Sequence, residues 1–344
     1  METNAKTLIL GGAGFIGSHL ADRLLTTGRE VHVLDSMRYC YAGNLATAER
    51  SQKFHLHVQS ASDNLIGFLS RRDVPKFDEI YHLAGLVSTD DFVSNPQEAF
   101  LVSILPLLDL FEYQNKYPYT RLLFTSSSEV YGNPPVIPTP EDCFGSVDFC
   151  GPRSGYDEGK RSGESLISAH IRNGGTCARV RLFNTFGPRM RANGRLVPTM
   201  VRSALVDGRI TINGTGEFTR TLLWVGDCLD ALVMAMDRQS ELPFNIGGLV
   251  MSSISEIASK IAERVDLVSG REKVVVEHTD PIQHDVFQRQ PDISRARDVL
   301  GWSPSTSVEY GVDRTIQYWR GRLMRTEALY FNREVEGSFD AQLG

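Results

Sequence analysis

Residues 6–35 read KTLILGGAGFIGSHLADRLLTTGREVHVLD, and the order of residue types in this stretch decides the fold. Lys6–Leu10 is a short, largely apolar run, the pattern of a strand buried on both faces. Gly11, Gly14 and Gly17 follow in GxxGxxG spacing, which lets the chain turn tightly and brings backbone N–H groups near a phosphate at the start of the next helix. From Phe15 to about Thr27 apolar residues recur at helical spacing; Gly28 ends that helix, and Glu30–Leu34 is a second apolar strand closing on Asp35. Strand, glycine turn, helix and strand, with a carboxylate 24 positions after Gly11, predict a dinucleotide site. Gly11, Gly14, Phe15, Ile16 and Gly17 would hold the pyrophosphate. Asp35 would accept from both adenosine ribose hydroxyls and repel a 2′-phosphate, which favours NAD over NADP.

The same alternation continues outward. Strands are expected near Phe54–Val58, Glu79–Leu83, Arg121–Thr125 and Cys177–Leu182, and helices near Leu65–Arg72, Pro96–Lys116 and Tyr156–Arg172. Apolar strands separated by helices imply an α/β protein with a Rossmann-like, doubly wound parallel sheet covered on both faces. After about Phe183 the pattern changes to short strands, glycines and basic residues, a smaller α/β domain toward the C-terminus. Ser253-x-x-Glu256 reads as a capping box opening a helix over Ile254–Val265, and Val308–Arg322 is the last clear helix. The expected division is residues 1–182 plus about 222–248 for the cofactor domain, 183–221 and 249–325 for the smaller domain, and a polar, aperiodic, loosely ordered tail over 326–344.

A chain of 344 residues exceeds one ordinary core, and 41% hydrophobic with 23% charged residues is a globular balance. A net charge of −6 disfavours nucleic acid as a partner, so an anionic substrate would need a local cluster of arginines. The five cysteines (Cys40, Cys143, Cys150, Cys177 and Cys228) are odd in number and scattered, without CxxC or Cys/His ligand spacing. Neither a disulfide framework nor a metal site is expected, and reduced thiols suggest a cytoplasmic protein. The start lacks a basic segment with a long apolar run, and no stretch approaches the ~18 apolar residues of a span, so no membrane partner is expected.

Tyr156-Asp157-Glu158-Gly159-Lys160 puts a phenol and an ammonium one helical turn apart. The ammonium would favour phenolate, lowering the tyrosine pKa toward that of a useful base, and could also hold the nicotinamide ribose. The strand Leu122–Thr125 runs into Ser126-Ser127-Ser128-Glu129-Val130-Tyr131-Gly132, and ligands of an open parallel sheet sit beyond such strand ends. A serine-rich turn capping a short helix is the alternative reading of the serines.

GGAGFIGSHL, YHLAG, SSSEVYG, GPRSGYDEGKRSGE, RLFNTFGPRM, NGRLVP and QRQPDI together resemble the extended short-chain dehydrogenase/reductase family. Within it they are most similar to the UDP-glucuronate decarboxylase (UDP-xylose synthase) branch, over roughly residues 6–320. The resemblance implies that the smaller domain binds a nucleotide sugar, that Ser127 and Tyr156 contact the sugar, that Glu129 assists the chemistry, and that Lys160 supports tyrosine and cofactor. It also implies the reaction. Tyr156 takes the C-4 hydroxyl proton as hydride passes to NAD; the C-4 ketone makes the C-6 carboxylate a β-keto acid, which loses carbon dioxide. Glu129, or water it positions, helps reprotonate C-5, and hydride return gives UDP-xylose. Ser128 stands where the similar 4,6-dehydratases carry an acid that protonates a departing hydroxyl, a proton that carbon dioxide loss does not need.

By the same resemblance Asn184, Arg189, Arg220 and Arg289 lie near the diphosphate or sugar acid, where the guanidinium fork suits phosphate and carboxylate. Val197 and Pro198 line the uridine wall, and Ala84 lies beside the cofactor. The helices over Pro96–Lys116 and Tyr156–Arg172 resemble a pair that builds a four-helix homodimer interface. His19 and His82 read as structural, and Tyr131 as packing. Three stretches depart from the family pattern: Val58–Asp63, Ser103-Ile104 and Ala84–Ser94. They leave release of a 4-keto pentose open beside UDP-xylose. A nucleotide-sugar dehydratase or epimerase on the same scaffold is the nearest alternative. A non-catalytic NAD-binding protein is a third reading, opposed by the intact Tyr156, Lys160 and Glu129.

Overall fold

The computed structural model describes residues 4–41, 43–269, 273–280 and 288–340. The first half alternates as its apolar pattern requires: β1 (Lys6–Leu10), α1 (Phe15–Thr26), β2 (Glu30–Asp35), β3 (Phe54–Val58), α2 (Leu65–Leu69), β4 (Glu79–His82), α3 (Thr89–Ser94), α4 (Pro96–Lys116), β5 (Arg121–Ser127), α5 (Ser154–Arg172) and β6 (Ala178–Leu182). Shorter elements follow: β7 (Thr185–Phe186), α6 (Leu196–Asp207), β8 (Arg209–Asn213), β9 (Thr219–Thr221), β10 (Leu223–Trp224), α7 (Val225–Arg238), β11 (Phe244–Ile246), β12 (Met251–Ser253), α8 (Ile254–Ser269), β13 (Val275–Thr279), β14 (Gln288–Arg289) and α9 (Val308–Asp340).

Seven parallel strands form the main sheet in the order β3-β2-β1-β4-β5-β6-β11. The winding direction reverses beside β1, between β1 and β4, and a ligand crevice opens beyond the carboxyl ends of the strands at such a point. One face is covered by α1 and α7 through Leu20, Leu24, Leu232 and Met236, the other by α2, α4 and α5 through Leu65, Phe68, Leu107 and Ile167. α5 lies unusually close to α4. A Cβ on Gly159 would stand 3.0 Å from Phe100 Cα, and one on Gly155 would strike the Pro96 carbonyl. The small residues around Tyr156 therefore set the depth at which α5 carries it.

A third apolar cluster, with Val201, Ile210, Ile261 and Trp319, joins α6, β8, α8 and α9 into the smaller layer. The capping box forms: Glu256 N–H donates to Ser253 Oγ at 3.1 Å, and Ser253 N–H to Glu256 Oε2 at 2.8 Å. Ile293, Ala296 and Trp302, which the sequence division groups with the smaller layer, pack instead into the α1/α7 face of the main sheet. The tail also differs from expectation. The last helix runs past Arg322 to Asp340. Residues 326–336 contain neither glycine nor proline, and a nucleated helix extends at the cost of one residue per added bond. Residues 341–344 of that tail lie outside the described residues. Among the described residues no helix is long and apolar enough to cross a membrane, and all five cysteines are free.

Candidate active site

A cleft of about 1260 Å³ crosses the carboxyl ends of the central strands, between the main sheet and the smaller layer. It exceeds the roughly 1,000 Å³ upper range for one drug-sized ligand, which leaves room for two molecules end to end. Gly11, Gly14, Phe15, Ile16, Gly17, Asp35 and Ala84 line one end. Ser127, Ser128, Glu129, Tyr156 and Lys160 line the middle, and Asn184, Arg189, Val197, Arg220 and Arg289 the rest. Of the site residues singled out from the sequence, all but Pro198 are thus brought to one cavity; Pro198 is buried in α6 beside Val197.

The glycine turn shows why it must be glycine. Gly11 has φ +79°, and a Cβ there would sit 2.7 Å from the backbone of Ala84; one on Gly17 would strike the Gly11 carbonyl. A Cβ on Gly14, the N-cap of α1, meets only the Gly11 oxygen at 3.3 Å and otherwise projects into open space, the room a pyrophosphate needs at a helix start. Asp35 is tied to this turn: Oδ2 accepts from Ala13 N–H at 2.9 Å and Oδ1 from Met37 N–H at 2.8 Å. Burial lifts its pKa, and the two N–H donors oppose that rise. The open cradle with an anchored carboxylate at the end of β2 fits NAD.

Lys160 is buried and donates from Nζ to the Thr125 carbonyl at 2.9 Å; burial lowers its pKa to about 8 against the pull of Glu164. Its ammonium lies 5.9 Å from the Tyr156 ring centroid. Tyr156 is 6% exposed, and burial pushes its pKa up, not down; a hydrogen bond with Ser127 and the charge of Arg195 only partly offset this. The expected lowering by Lys160 is therefore corrected. Desolvation of a phenolate outweighs an ammonium that is turned toward a backbone carbonyl. Both readings of the serine run are realised together: Glu129 N–H donates to Ser127 Oγ at 3.2 Å, capping a short 3-10 turn over Ser128–Tyr131, while Ser127 and Ser128 face the cleft.

Glu129 is clamped by two arginines. Arg289 bonds it in a fork, Nη1 to Oε1 and Nη2 to Oε2, the latter at 2.6 Å, and Arg153 Nη2 is 2.7 Å from Oε2. Burial alone would raise its pKa; Arg289 and then Arg153 overcome this and hold it at about 2. Arg289 on β14 and Arg220 on β9 are register partners in adjacent parallel strands, so two guanidinium groups arise side by side. Arg189, at φ +66°, instead pairs with Asp22 of α1 at 2.6 Å. Among residues set aside as structural, His19 Nε2 lies 3.0 Å from the Pro188 carbonyl, and burial drives His82 down to about 3. Tyr131 donates to Asn245 Oδ1 at 2.7 Å behind the turn.

Residues 7–247 match the NAD dependent epimerase/dehydratase family. The chain belongs to it. It is 36% identical over 323 residues to UDP-glucuronic acid decarboxylase 1 of Xenopus tropicalis, covering 92% of this chain and 73% of that one. The solved UDP-glucose 4-epimerase of Thermotoga maritima, with UDP-glucose, superposes with a TM-score of 0.81 at 28% identity over 92% of this chain and 99% of its own. The UDP-glucuronic acid 4-epimerase of Bacillus cereus, in complex with UDP-glucuronic acid and NAD, gives 0.78 at 25% over the same shares.

Some residues of this family member's cleft were not singled out from its sequence. Arg153 precedes Tyr156 by three positions, one turn along the same face, a spacing that could have revealed it. Arg195, inside the quoted NGRLVP, donates to the Val87 carbonyl at 2.9 Å and acts on Tyr156 by charge. Phe92 stacks on Tyr156 at 4.9 Å and 12°. It comes from α3, formed by the very segment that departs from the family pattern, and no local signal marks it. Asp157 is buried beside Glu129, and burial with that neighbouring charge raises its pKa to about 7.

Proposed function

We propose that this protein decarboxylates UDP-glucuronate with NAD as its cofactor, giving UDP-xylose, a UDP-4-keto-pentose, or both. The observation that carries the reading is the turn at Ser128-Glu129. Ser128 is no acid near neutral pH, and Glu129 is held ionised by Arg289 and Arg153 at about 2. Neither side chain is suited to protonate a departing hydroxyl, whereas carbon dioxide leaves a β-keto acid without such a proton. The identity to UDP-glucuronic acid decarboxylases over most of the chain supports the same choice.

Gly11, Gly14, Gly17 and Asp35 would hold the NAD pyrophosphate and adenosine ribose, and Lys160 the nicotinamide ribose. Bound NAD supplies hydride acceptance from, and return to, a sugar carbon. Tyr156, hydrogen-bonded with Ser127, takes and returns the C-4 hydroxyl proton. Phe92 covers the ring and limits water. Glu129, fixed by its arginines, positions the water that protonates C-5. Arg220 and Arg289 meet the anionic groups of the substrate, with Asn184 beside them and Val197 against the base. Arg189, paired with Asp22, acts from the α1 side.

We assign residues 1–182 with about 222–248 to the NAD domain and 183–221 with 249–325 to the nucleotide-sugar domain, the stretch around Trp302 bracing the first. We place a second copy against α4 and α5, as a four-helix homodimer; exposed Leu105 and Leu108, three apart on α4, support this. Light scattering on Leu108→Lys should then report a monomer. The free thiols accord with a cytoplasmic location.

Product NMR and gas release after mixing protein, NAD and UDP-glucuronate test the activity. Carbon dioxide with a UDP-pentose is the expected result. UDP-galacturonate without gas would replace the reading by 4-epimerisation, and untouched UDP-glucuronate would end it.

A further inference from the structure

Away from the cleft, β2 and β3 carry a second cluster of reactive side chains. Glu30 and His32 are two apart on β2, His55 and His57 two apart on β3, so the period of a strand puts each pair on one face. Parallel register sets His32 opposite His55. Glu30 Oε1 lies 3.0 Å from His32 Nε2 and 3.7 Å from His55 Nε2, and the three atoms are within 4.8 Å of one another. Ligand atoms on a tetrahedral zinc, with bonds of about 2.0–2.1 Å, stand about 3.3 Å apart, so small side-chain shifts would close this set on an ion.

The surroundings suit ligation. His32 Nδ1 is 3.0 Å from His57 Nε2. A ligating imidazole usually gives its second N–H to an outer acceptor, which fixes tautomer and ring angle, and His57 stands where that acceptor belongs. The His32 ring stacks on His55 at 4.3 Å and on His57 at 5.3 Å, which limits its rotation. His32 is buried, while His55 and Glu30 are partly open to solvent, an inner ligand with a route to it. Lys6 is the competing cation, 3.9 Å from the other Glu30 oxygen.

We propose that Glu30, His32 and His55 bind one divalent transition-metal ion of the zinc class, with His57 as the outer partner of His32 and solvent completing the shell. Two imidazoles and a carboxylate select such ions over magnesium or calcium, which prefer all-oxygen sets. None of the four residues lines the cleft. The ion would staple the sheet-edge strand β3 to β2, whose far end carries Asp35.

The test is zinc titration of the chelator-treated, tag-free full chain by calorimetry, with melting followed in parallel. The expected result is one equivalent bound and a rise in Tm. His55→Ala and Glu30→Gln should abolish both responses while melting like the wild type in chelator and keeping its turnover. His57→Ala should weaken binding by about 10- to 100-fold. Absence of a one-equivalent zinc complex, or wild-type zinc affinity in His55→Ala and Glu30→Gln alike, overturns the proposal; the second outcome would move the ion to the thiols.

Discussion

At the cofactor end of the cleft, backbone makes the surface: Gly11 at φ +79°, the open Gly14, and Asp35 held by the N–H groups of Ala13 and Met37. At the sugar end, side-chain charges do so, with Arg153 at the N-cap of α5, Arg195 ahead of α6 and Arg289 from β14 grouped around Glu129 and Tyr156, and Arg220 of β9 in register with Arg289. The first is made mainly from the stretch between Gly11 and Met37, closed by the backbone at Ala84, and most of it does not titrate. The second is assembled from distant segments and depends on burial and charge balance. The comparison teaches that one half of the site is a shape and the other a charge arrangement, so the two should fail differently.

Tyr156→Phe gives the largest expected effect, a loss of turnover of about 10²–10⁴-fold, with NAD affinity in calorimetry little changed. Equal loss of both would erase the proposed separation of the two ends. Arg289→Ala comes next. Removing one partner of a buried pair should cost about 3–5 kcal/mol in denaturant unfolding, and it should raise the Glu129 pKa, adding an acid limb to the pH–rate profile. Asp35→Ser should weaken NAD by about 10- to 100-fold, the loss of charge-assisted hydrogen bonds, and narrow the preference over NADP. The KM for the nucleotide sugar should stay put.

The smallest effect is on stability against pH. Asp157 titrates at about 7 when folded and at 3.8 ordinarily, so between those values the native state binds its proton more tightly than the unfolded chain. Its contribution is full below about 4 and is lost as pH rises through 7. Asp157→Asn should therefore gain Tm relative to the wild type by a few degrees as pH is raised from 4 to 8 in parallel melts. A constant difference would mean that the carboxyl is not buried as described.

Much of this architecture was legible before any coordinates. The strand–turn–helix unit of residues 6–35 and the helix Pro96–Lys116 follow from periodicity and caps within single segments. The pairing of Arg189 with Asp22 spans 167 positions, and the Arg289 fork on Glu129 spans 160, distances over which no local pattern carries information. The Tyr156 pKa shift has the opposite sign from the one its spacing to Lys160 suggests. Sequence reports the neighbour one turn away but not the solvent excluded by Phe92.

No single segment carries Cys/His ligand spacing, yet strand pairing sets His32 of Glu30-x-His32 opposite His55 of His55-x-His57. By itself, the sequence determined the order of strands and helices, the glycine turn with its acid, and the residue types available for chemistry, because these arise from backbone sterics and short-range periodicity. Only the tertiary structure decided which charges meet, which groups lose water, and therefore where each proton resides, because Coulomb energies and desolvation depend on distance through space rather than along the chain.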